Sequence, residues 1–120
     1  MTQSHFSHAR VATASAEKYL RQLCKHFAHK VPVELDQQKA RVDFPPGPCL
    51  MMADETALSF YCQGGSADGL ARIQLIIDDH LKRFAWREEP EIQWGEGLPF
   101  SVVSGRLPGL SDFAAMEGET

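Results

Sequence analysis

The sequence predicts an α+β domain: an antiparallel sheet with two helices packed on one face, in the order strand, helix, four strands, helix. Three observations predict it. Apolar residues recur at helical spacing in two segments, Ala16 to Ala28 and Leu70 to Phe84. Between them lie four short apolar or strand-forming runs joined by connectors of hairpin length. The 120 residues, 43% hydrophobic and 23% charged, match one globular domain, which at this length buries roughly two thirds of the surface its unfolded chain exposes.

The first strand is Ser7 to Thr13, where Ala9, Val11 and Thr13 alternate with residues of the opposite face. Ser15 then offers an N-cap and Glu17 a first-turn acid, followed by Ala16, Tyr19, Leu20, Leu23, Cys24, Phe27 and Ala28 on one face of a helix. Pro32 marks its end, because the residue before proline avoids the helical region. The four runs Val33 to Leu35, Ala40 to Phe44, Cys49 to Ala53 and Ala57 to Cys62 form a meander with sequential strands as neighbours. Gly64 and Gly65 break the last strand. Ser66 caps a second helix whose apolar face is Leu70, Ile73, Ile77, Leu81 and Phe84. After Pro90, Ile92 to Trp94 either adds a short strand or packs on the core. The domain is therefore taken as residues 1–94, with 95–120 a C-terminal tail partly ordered through Phe100 to Val103. This layout resembles TATA-binding-protein-like folds and the C-terminal domain of phosphohexomutases, an analogy of fold alone.

Composition narrows the setting. The apolar runs are short, against the about 20 residues a membrane-spanning helix needs, and Met1 to Arg10 lacks the apolar core of a secretory signal. Cys24, Cys49 and Cys62 are odd in number and unpaired in spacing, as expected of reduced thiols in a cytoplasm. The net charge of -4 hides an asymmetry: Met1 to Lys30 carries five Lys or Arg against one acid, with four of the five histidines, whereas Glu88 to Thr120 carries seven acids against Arg106. One short basic segment on an acidic chain does not suit nucleic acid, but it suits a small anion.

That segment holds the most distinctive residues, Gln22 to Lys30, with a C-x-H-x-x-H spacing that invites a metal reading. At about 100° per residue Cys24 falls on the apolar side and His29 roughly 140° away, so one ion does not take the whole triad, and Cys24 is expected to be a core thiol. His26 and His29 lie only about 60° apart on a continuing helix. With Lys18, Gln22 and Lys25 they make a cationic stripe, which is either a solvated face complementing the helix dipole or an anion site. His80 stands at the border of the second helix's apolar face with Arg83 and Arg87 along the same edge, either as a boundary histidine or as a ligand contact. No glycine-rich phosphate loop, nucleophile elbow or H-E-x-x-H helix occurs, and no catalytic residue is assigned.

Gln22 to Lys30, the Asp43-Phe44 to Gly47-x-Cys49 turn and His80 to Glu89, together with strand one and Trp94, resemble a bacterial family called domain of unknown function 2218, over approximately Ala9 to Trp94. The family has no assigned catalytic residues to carry over. Its association with siderophore-interacting flavoproteins implies an accessory role in iron acquisition. The expectation is a non-enzymatic binding domain for an iron-related anionic ligand, using Lys25, His26 and His29 with His80, Arg83 and Arg87, and no resident cofactor. A protein-interaction module docking a flavin reductase is the second expectation. The third is an enzyme, which requires His80 and the first helix to converge in one pocket.

Overall fold

The computed structural model describes residues 5–97. Its elements are β1 (His5–Ala12), α1 (Ala16–Phe27), β2 (Val33–Asp36), β3 (Lys39–Phe44), β4 (Gly47–Ala53), β5 (Ala57–Gly64), α2 (Ala67–Phe84) and β6 (Gly95–Glu96). The predicted order and the four-strand meander are present, and every paired strand is antiparallel. The segment Phe100 to Val103 lies outside the described residues.

The sheet order is β2-β3-β4-β5-β1-β6. The meander accounts for the first four neighbours; the insertion of β1 between β5 and β6 follows from the helices. Counting alternations along the sheet, β1 and β2 run the same way, as do β5 and β6. Strands pointing the same way need a long crossover, and α1 and α2 supply one each. Both helices cover one face, where Ala9 and Val11 of β1, Val42 and Phe44 of β3, Cys49 and Met51 of β4 and Leu58 and Phe60 of β5 meet Leu20, Leu23, Phe27, Ile73, Ile77 and Leu81. On the opposite face Leu50, Ser59, Tyr61 and Gln63 are buried too, so β4 and β5 do not present bare apolar surface there.

Local chemistry sets the helix ends. Ser66 caps α2 as its position predicts, its hydroxyl accepting from the Gly69 N–H at 3.0 Å. Ser66→Ala is expected to lower unfolding free energy by about 1 kcal/mol in urea denaturation; an unchanged midpoint and slope would contradict that role. Ser15 stands at the start of α1 but makes no side-chain cap bond. Its own N–H donates to the Thr13 hydroxyl at 3.0 Å, and its carbonyl accepts from Tyr19 N–H at 3.1 Å. α1 stops at Phe27, ahead of Pro32, as the N–H groups of Lys30 and Val31 both turn back to the Phe27 carbonyl.

Both alternatives for the segment after Pro90 are partly realised. Ile92 and Trp94 pack against the core, and the strand begins one residue later, with Gly95 opposite His8 and Glu96 opposite Ser7. Trp94 bridges sheet and helix: its ring lies 6.0 Å from Phe60 and its indole N–H donates to Asp78 at 2.9 Å. The three cysteines are free and buried. Burial pushes the Cys24 thiol up to about 11, so it is protonated at neutral pH and a poor metal ligand, as expected of a core thiol. Cys49 and Cys62 face each other across β4 and β5 with their sulfurs 3.3 Å apart; burial, and then the Cys62 hydrogen bond, raise Cys49 further.

Candidate functional site

The seam between α1 and α2 collects the polar side chains that the two periodic faces leave at their borders. The helices are antiparallel: Tyr19, near the start of α1, meets Glu88 just past α2, and His26, near the end of α1, meets His80.

At one end Glu88 accepts two hydroxyls, from Tyr19 and from Thr13, the latter at 2.8 Å, while Thr13 in turn accepts from Ser15 N–H. One carboxylate therefore ties together the β1–α1 turn, α1 and the segment leaving α2. The Tyr19 bond, then the Thr13 bond, hold the Glu88 carboxyl below its ordinary value, and Glu88 raises Tyr19. Because the folded-state value is depressed, the stabilisation is present above the unfolded value of 4.5 and is lost as pH falls through the folded one. Glu88→Gln is expected to remove this part of the acid dependence. The measurement is urea stability between pH 3 and pH 6 for both proteins; parallel pH profiles would refute the linkage.

At the other end the rings of His26 and His80 lie 4.5 Å apart, tilted by 48°. Phe27 stands edge-on to His80 at 5.0 Å, and Phe84 edge-on to His26 at 6.0 Å. The two imidazoles are thus half-buried between two phenyl rings. His80 Nδ1 lies 2.6 Å from the Ile76 carbonyl. A carbonyl only accepts, so Nδ1 carries the proton and, in the neutral ring, Nε2 keeps a lone pair. Burial first, then His80, Lys30, His29 and Arg83, hold His26 below the ordinary histidine value, favouring its neutral form.

The six residues singled out by sequence divide accordingly. His26 and His80 come together. His29 is exposed in the turn beyond Phe27, so it does not stack one helical turn above His26, although its charge and those of Lys30 and Arg83 reach that ring. Lys25 is exposed on α1. Arg83 is paired with Asp79 at 3.1 Å, an exposed i,i+4 contact, and Arg87 lies 5.1 Å over the Trp86 ring. Sequence reasoning passed over Phe27 and Phe84 as site walls because their spacing marked them as core, and Lys30 because it falls after the helix. Among the described residues, no group of three or more His, Cys, Asp and Glu side chains is placed to hold a metal ion. Among the described residues, no helix is long and apolar enough to cross a membrane.

Comparison with known proteins agrees with this architecture. A family described as an uncharacterized protein conserved in bacteria, DUF2218, matches residues 8–95. The NMR structure of PA4090 from Pseudomonas aeruginosa is similar at 35% identity with a TM-score of 0.66, over 76% of this chain and 95% of that one. No curated protein matches.

Proposed function

We propose that this chain, which belongs to DUF2218, a family of uncharacterized proteins conserved in bacteria, is a cytoplasmic, non-enzymatic binding module for an iron-related anionic ligand. The observation that carries the reading is the meeting of His26 and His80, 4.5 Å apart at the α1–α2 seam. Lys30 and Arg83 bring positive charge to a half-buried pair of imidazoles, with Lys25 and His29 exposed on the same stretch of chain, a combination suited to an anion that also offers a flat or metal-bearing surface. The siderophore setting implied by the family resemblance supplies the choice of iron. Equilibrium dialysis of the reduced protein against a ferric hydroxamate siderophore and against ferric haem tests it. Saturable uptake of either complex supports the reading; retention no greater than that of an unrelated acidic protein sinks it.

A second reading, a module that docks a flavin reductase, draws on Trp86 and Leu75, exposed by 65% and 68% on the outer side of α2 and just beyond it. A pull-down that retains the reductase without any iron ligand, and loses it in Leu75→Ser with Trp86→Ser, would favour this reading over the first.

A further inference from the structure

We propose that His26 and His80 ligate a first-row transition-metal ion, one nitrogen from each ring, as an adjacent pair whose other coordination positions are filled by the bound ligand or water. The inference rests on the seam being a ligand site and adds how the ligand is gripped: through its metal rather than through its charge alone.

Two observations carry it. The first is the orientation of His80. A metal-bound histidine characteristically donates its other ring N–H to a carbonyl or carboxylate, which fixes the tautomer and the ring plane. His80 already makes that bond to the Ile76 carbonyl, at 2.6 Å. Its Nε2 is therefore available before any ion arrives.

The second is the separation of the rings. A metal–nitrogen bond of about 2.0–2.1 Å, plus about 1.1 Å from the nitrogen to the ring centre, places each centre about 3.2 Å from the ion. Two such rings at 90° around an octahedral ion have centres about 4.5 Å apart, and at a tetrahedral angle about 5.2 Å. The observed separation is 4.5 Å, the spacing of ring centres that neighbouring positions of a six-coordinate ion require. Phe27 and Phe84 flank the pair, an apolar shell of the kind that limits water around a metal site. With two protein ligands and no third His, Cys, Asp or Glu gathered there among the described residues, positions are left for a chelating ligand. Imidazole nitrogens suit nickel, zinc, copper and iron alike.

The test uses the untagged full chain and nickel(II) or zinc(II) chloride alone, by isothermal titration. One ion per chain is expected, with His26→Ala and His80→Ala each weakening binding at least about tenfold and His5→Ala leaving it unchanged. In the unaltered protein, nickel should broaden the ring signals of His26 and His80 before those of His5 and His8, a readout that needs no variant to fold. Nickel affinity insensitive to both alanine variants, or broadening that begins at His5 and His8, overturns the proposal. The two readings fail separately: ferric siderophore bound without any nickel binding removes the ligation and keeps the anion site. Nickel bound at the pair without uptake of any ferric complex keeps the ligation and removes the iron-related function.

Discussion

Replacing His26 and His80 together by alanine is expected to weaken uptake of a ferric complex at least about 100-fold, the product of about tenfold for each lost contact. The reason is geometric. Lys25, His29 and Lys30 remain in the double variant and still attract an anion, but exposed charges hold small ligands weakly because water and salt screen them. What the pair adds is direct contact in a half-buried setting, with one ring oriented in advance by the Ile76 carbonyl and both flanked by phenyl groups. The complementary variant, Lys25→Ala with Lys30→Ala, is expected to weaken binding only severalfold and to flatten its salt dependence. Equilibrium dialysis of the three proteins at two ionic strengths checks both statements. A larger loss in the lysine variant than in the histidine variant would mean that charge, not the imidazoles, holds the ligand.

Gly47→Ala is expected to cost about 4 kcal/mol, the upper range for a single substitution. Gly47 opens β4 at the end of the two-proline β3–β4 turn, with φ at +157°, and its backbone lies against β5. A Cβ at this position would stand 1.9 Å from the Gln63 carbonyl oxygen and 3.2 Å from Gly64 Cα. Both obstacles are backbone, so no rotamer change relieves them; the hairpin must lift off the last residues of β5. That movement also strains the Pro46 carbonyl, which accepts from Gly65 N–H at 3.3 Å just before α2 begins. Guanidinium denaturation measures the loss. A variant within 1 kcal/mol of the parent would show that the tip of the hairpin yields more easily than its contacts imply.

Most element boundaries were legible because the relevant signals are local. Alternation along Ala9 and Val11, the Pro45-Pro46 turn and the Ser66 cap each act over a few residues, and each has a direct counterpart in the structure, whereas β4 takes in Gly47 and Pro48 of the expected Pro45 to Pro48 connector and β5 runs on through Gly64. The places that escaped are those where a distant residue decides. Ser15 has the right identity for a cap, but Thr13, itself tied to Glu88 75 residues away, takes its N–H instead. The two-residue β6 has no apolar pattern and exists through its pairing with Ser7 and His8. The site shows the same division. His26 was visible on the cationic stripe of the first helix and His80 at the border of the second helix's apolar face, yet their 4.5 Å approach depends on an antiparallel helix pairing that neither segment encodes alone. The pairing of His26 with His29 was read from an uninterrupted helix; the turn after Phe27 removes that premise.

The most direct test of the central claim is a fluorescence titration of the purified, reduced full chain with a ferric siderophore and with ferric haem, following Trp86 and Trp94, beside a tryptophan-containing control protein. Saturable quenching in this chain, absent from the control and lost in the His26→Ala, His80→Ala double variant, is the predicted result. Linear quenching equal to that of the control, or saturable quenching that survives loss of both histidines, would contradict the assignment of the site.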